Sequence, residues 1–182
     1  QLTAKGKKYV TYMEGKTGEV WKFPVVAIIT VIMDEEKDTV LMLERKKEPF
    51  RGYWGIHGGK LKFSQYILEC AKESILEETG LTCDVKLKGL FSSKTFEGEE
   101  LAYNHQLFIV KATNPQGKLL KQTNKGRNKW VQRKDIQQFK ILPNIPLLID
   151  IAMSKRFRWI EADRFQENDL FKGMSIKRNK TI

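Results

Sequence analysis

Gly58-Gly59-Lys60-Leu61-Lys62-Phe63-Ser64-Gln65-Tyr66-Ile67-Leu68-Glu69-Cys70-Ala71-Lys72-Glu73-Ser74-Ile75-Leu76-Glu77-Glu78-Thr79-Gly80-Leu81 is the stretch that decides the fold. A helix is predicted over residues 65–79, with Ser64 as N-cap and Gly80 as the glycine that ends it. At roughly 100° per residue, Leu68, Ala71 and Ile75 form its core side. Gln65, Glu69, Glu73 and Glu77 recur at i, i+4 spacing on the polar side, as on any solvated face. Glu78 breaks the pattern. It lies roughly 20° from Ala71, at the buried edge, where a lone carboxylate loses hydration without compensation. Two partners would answer that need. One is a divalent ion shared with Glu77, since hard cations take oxygen ligands; the other is a salt bridge to one of the many Lys and Arg residues.

Before the helix, residues 25–34 and 39–44 are rich in Val, Ile and Leu. Separated by Glu35-Glu36-Lys37-Asp38, they read as an antiparallel hairpin in the sheet core. Residues 49–59 hold four glycines and three aromatics and read as a loop where backbone approaches something closely. After the helix, strands are predicted at 83–91, 104–112 and 128–132, with a polar loop at 95–100. Pro143-Asn144-Ile145-Pro146 opens a second helix reaching about Ser154, and short strands follow at 157–160 and 170–176. Strands flanking two helices make a mixed α/β sandwich.

The 182 residues suit one domain with decorated ends, and 41% hydrophobic with 30% charged residues excludes a disordered chain. The longest apolar stretch, residues 23–33, is about half of the ~20 a spanning helix needs, so no membrane association is expected. No leader pattern precedes it, the chain begins at Gln1 rather than Met, and the cytoplasm is the default compartment. Cys70 and Cys83 make neither a disulfide framework nor a zinc pattern. A net charge of +11 points to anionic partners. Seven of the 33 basic residues lie between Lys118 and Lys134, a solvated face or an anion-binding one.

The double glycine, the capped helix and Glu77-Glu78-Thr79-Gly80-Leu81 together resemble the signature of the Nudix (MutT-type) hydrolases, G-x₅-E-x₇-R-E-U-x-E-E-x-G-U, with U a bulky aliphatic. Started at Gly59, the pattern puts Ile75, Glu77, Glu78, Gly80 and Leu81 in their places without a gap. Three positions depart from it: Gln65 and Ser74 stand for glutamates, and Glu73 for the arginine. The resemblance implies an α/β/α sandwich with a mixed sheet, its core at about 22–178 behind a 1–21 extension. It also implies a phosphoanhydride hydrolase acting on a nucleoside triphosphate or related nucleoside diphosphate derivative. Mg²⁺ or Mn²⁺ would be held by Glu77, Glu78 and the Gly58 carbonyl. Position 74 supplies a further metal ligand and base in the family, so its loss threatens turnover. Glu73 would substitute as ligand or base only through a π-bulge. The family often adds a glutamate ahead of the Trp130 strand, where this chain has Asn124-Lys125.

For the substrate, Arg45, Lys47 and Lys60 are candidates for the phosphates. His57, where relatives carry Pro, either faces them or packs in the loop. Asn144 either reads a purine edge with its amide or caps the second helix. His105 is expected to be structural. Residues 157–177 resemble the C-terminal hairpin of 8-oxo-dGTPase-like members. The competing reading is a catalytically impaired nucleotide- or RNA-binding module, although Trp130 is the only aromatic in the basic run. A homodimer is compatible with either.

Overall fold

The β-branched run Val25–Asp34 (β1) turns at Glu35 to Asp38 into Thr39–Arg45 (β2), with Met33 opposite Val40. The computed structural model describes residues 23–47, 50–168 and 170–182; the expected extension at 1–21 lies outside the described residues. The hairpin is as predicted, but the two strands part beyond the turn. β1 pairs antiparallel with His57–Lys60 (β4) and parallel with Glu100–Gly117 (β6), Val25 lying opposite His105. β2 pairs with Trp54–Gly55 (β3) and with Gly126–Gln132 (β7). The glycine-rich stretch expected to be a loop therefore contains two short strands.

Leu81–Glu97 (β5) and β6 form a long antiparallel hairpin. The polar loop expected at 95–100 shrinks to a tight turn at Gly98-Glu99, because Thr95 stays paired with Tyr103 and Glu97 with Glu100. Arg158–Glu167 (β8) lies parallel to β5, and Leu170–Thr181 (β9) antiparallel to β8, so both C-terminal strands outrun their expected lengths. The spatial order is β3-β2-β1-β6-β5-β8-β9, with β4 also on β1 and β7 on β2.

Ile67–Thr79 (α1) and Ile145–Met153 (α2) cover opposite faces of this sheet, which gives the α/β/α sandwich. Alternation along β1 shows the division. Ile28 and Ile32 meet the cores under α1, with Ala71 and Ile75, whereas Val31 and Met33 join the larger core under α2, with Leu148 and Ile151. α1 ends at Gly80 as predicted, in the left-handed region at φ 72°. It starts later than predicted. Residues 62–65 close a turn of their own, Gln65 N–H to the Lys62 carbonyl, so Ser64 caps nothing and Tyr66 takes the N-cap place. The Glu69 carboxylate accepts from the Tyr66 N–H at 3.2 Å. Leu68, expected on the core side, stands exposed in the first turn, and Cys70 is buried instead. No helix among the described residues is long and apolar enough to cross a membrane.

Candidate functional site

The last turn of α1 and the start of β7 meet around Glu78. Glu78 is 4% exposed and forms an ion pair with Lys125 through Oε1; its other oxygen, Oε2, is buried with no hydrogen-bond partner. Burial pushes the carboxyl above its ordinary value, Lys125 opposes that shift, and neighbouring Glu77 adds to it. The sequence argument thus placed Glu78 correctly at a buried edge in need of positive charge, and a lysine from the β7 loop supplies it.

Asn128, the third residue of β7 and three beyond Lys125, fixes the helix end. Its Nδ2 donates to the Glu78 carbonyl at 2.8 Å and to the Leu120 carbonyl at 2.7 Å. Its Oδ1 lies 3.0 Å from His57 Nε2. With both amide hydrogens on carbonyls, Oδ1 must accept, so His57 carries its proton on Nε2. His57 is 1% exposed, and burial holds it at about 4. The ring is packed in the interior against Asn128, beneath the end of α1.

Gly59 lies against α1, since a β-carbon there would stand 3.9 Å from Ser74 Oγ. Position 74 therefore does face the glycine loop, with a hydroxyl in place of a carboxylate. Leu61 N–H donates to the Val26 carbonyl. By the alternation of an antiparallel ladder, Gly58 then falls in a pair whose amide and carbonyl turn away from β1, toward the open edge of β4. Glu77 is exposed beside Glu78. Glu73 is not brought in. α1 is α-helical throughout, without the bulge that would swing it, and Glu73 is exposed and hydrogen-bonded to Gln65. The two positions where the family pattern has glutamate and arginine thus hold Gln65 and Glu73, hydrogen-bonded to each other.

Arg45 lies opposite Gly126, two positions along from the Leu43–Asn128 pair, and so on the same sheet face as Asn128. Lys47 falls past the end of β2, exposed. Lys60 is placed elsewhere: Gly59 faces α1, so the next residue turns to the α2 side, where its charge depresses His105. His105 is held at about 4 chiefly by burial. Asn144 occupies the N-cap of α2 without making a side-chain cap, and its buried Oδ1 has no partner. The candidate residues thus divide between the two faces of the sheet. Asn128 and the partner role of Lys125 went unread in the sequence. A polar residue two before Trp130, on the core-facing parity of its strand, was the available signal for Asn128. Trp130 itself packs against Ile32, Leu41 and Ile75, so it is not displayed for base stacking.

Among the described residues, no three His, Cys, Asp or Glu side chains gather as a metal cluster. The donors that remain fit one hard cation: the unpartnered Glu78 Oε2, the exposed Glu77 carboxylate and the outward Gly58 carbonyl.

The NUDIX domain family model matches residues 22–149. Nudix hydrolase YvcI of Bacillus subtilis is 25% identical over 126 residues, 69% of this chain and 78% of the relative. The ADP-ribose pyrophosphatase of Methanocaldococcus jannaschii is 33% identical over 88 residues, 48% of this chain and 51% of the relative, so the match spans about half of that protein. The MutT protein of Bacillus halodurans superposes with a TM-score of 0.70 at 26% identity, over 84% of this chain and 97% of the other. The chain belongs to the Nudix family. Among these relatives, one is named as a Nudix hydrolase and one as an ADP-ribose pyrophosphatase.

Proposed function

We propose that this chain hydrolyses the phosphoanhydride link of a nucleoside triphosphate or a related nucleoside diphosphate derivative, with Mg²⁺ or Mn²⁺ held at Glu77, Glu78 and the Gly58 carbonyl. The observation that carries the reading is the buried Glu78, with one carboxylate oxygen left without a hydrogen-bond partner. A bound divalent ion would neutralise diphosphate oxygens and lower the pKa of an attacking water. The chain's own residues set the geometry around it. Asn128 ties down the last turn of α1, and Arg45 projects beside the Lys125 loop toward the phosphates. On the α2 side, the unpartnered Asn144 oxygen offers an acceptor to a base. The relatives named for ADP-ribose and MutT support a nucleotide-like substrate. With Ser74 in place of a carboxylate and Glu73 turned away, a positioned base worth about 10²- to 10⁴-fold is missing, and turnover should be slow.

A screen of nucleoside triphosphates and nucleoside diphosphate derivatives with Mg²⁺ or Mn²⁺ tests this. Metal-dependent release of a nucleoside monophosphate, abolished by Glu77→Gln/Glu78→Gln, is the expected result. Nucleotide binding without turnover under every metal condition would instead favour the binding-module reading, which the Lys125 ion pair on Glu78 recommends.

A further inference from the structure

The residue paired with Glu78 is held in place rather than loosely tethered. The Lys125 carbonyl accepts from Lys46 N–H at 2.9 Å, and its own N–H donates to Thr123 Oγ1 at 3.2 Å. Gly126, next in sequence, lies so close to β2 that a β-carbon would sit 1.8 Å from the Glu44 carbonyl oxygen. The loop is thus pressed against the sheet, and its lysine stem is aimed at the end of α1. An ammonium has three donors. One reaches Glu78, and the side chain is still 44% exposed, so the others face outward at the mouth of the site.

Charge counting then separates two cases. Glu78 and Lys125 neutralise each other, so a divalent ion arriving at Glu78 Oε2 would meet a like charge one carboxylate away and find only the exposed Glu77 to balance it. A diphosphate oxygen arriving at the same mouth meets an ammonium already in position, with Arg45 beside its loop.

We infer that Lys125 is a built-in cation of the phosphate site: it stands at Glu78 where a divalent ion would bind, holds a diphosphate oxygen directly, and weakens divalent-ion binding in exchange. This deepens the proposed function, since it concerns the same site.

The test uses two probes on the full chain, Mn²⁺ alone followed by electron paramagnetic resonance, and inorganic pyrophosphate titrated calorimetrically in EDTA. The wild type should bind pyrophosphate without metal. Lys125→Ala should weaken that binding at least tenfold and tighten Mn²⁺ at least tenfold, while Lys134→Ala, from the same basic run, changes neither. If Lys125→Ala does not fold, Lys125→Met/Glu78→Gln, neutral at both positions, carries the pyrophosphate measurement. No metal-free pyrophosphate binding, or binding undiminished in these variants, overturns the inference, as does Mn²⁺ affinity unmoved in Lys125→Ala. Hydrolysis with Mn²⁺ affinity unmoved leaves the proposed function standing without this inference; Lys125-dependent pyrophosphate binding without turnover does the reverse.

Discussion

At the scale of single residues, the arrangement depends on Asn128, whose amide serves a helix end, a loop carbonyl and a buried histidine at once. Asn128→Ala would leave the Glu78 carbonyl and the His57 N–H unpaired in the interior and remove the donor to the Leu120 carbonyl. It should cost about 3 kcal/mol in denaturant unfolding, and lower pyrophosphate affinity by loosening the end of α1. His57 makes a second expectation. Its folded-state value of about 4 lies below the ordinary 6.5, so the unfolded chain takes up the proton first. The stability it contributes is complete above pH 6.5 and is lost as pH falls toward 4, by up to about 3 kcal/mol. His105, held low by the same cause, acts in the same direction. The midpoint of urea unfolding should drop over that window, with a shallower drop in His57→Gln; equal slopes would refute the assignment to His57. The need for a cation at Glu78 was legible from the helical wheel because that geometry is local. The identity of the cation was not, since Lys125 lies 47 residues away and only the sheet topology brings it near.

Between elements, the closest approach is where β5 passes β8 and α2. Gly89 follows an irregularity in the β5–β6 register, and a β-carbon on it would lie 2.4 Å from the Arg158 carbonyl oxygen and 2.6 Å from Ile151 Cγ2. Gly89→Ala should therefore force β8 from β5, costing about 1 to 3 kcal/mol or more by overpacking. Thermal unfolding measures the loss, and an unchanged midpoint would mean that β8 is more loosely docked than its register indicates. Helix α1 was legible at its end, because Gly80 must adopt a left-handed conformation. It was misread at its start, because residues 62–65 use their own turn rather than the Ser64 hydroxyl. The C-terminal strands and the tip of the β5–β6 hairpin were read too short for a different reason. Thr95, Glu97 and Arg164 look like loop residues in isolation, and they stay extended because a neighbouring strand satisfies their backbone.

Across the whole molecule, the charge of +11 is not spread idly. Arg127 pairs with Glu44 and lies over Trp54, Lys129 lies over Phe139, and Arg133 pairs with Asp38. Lys118, Lys121 and Lys134 remain exposed. Such a field should speed the arrival of anionic nucleotides, so kcat/KM should fall several-fold as ionic strength rises from about 0.05 to about 0.5 M. A flat salt profile would confine the electrostatics to the Lys125 and Arg45 pair.

The parallel pairing of β1 with β6 also bears on how the chain is made. Synthesis delivers the apolar strand Val25–Asp34 well before its neighbour, with His105 opposite Val25, which is added only after β2, β4, α1 and β5. Until then, one edge of the most apolar strand waits open, a ready template for another chain. Refolding should be correspondingly slow, in the millisecond-to-second range of folds ruled by distant contacts, with association competing at high concentration.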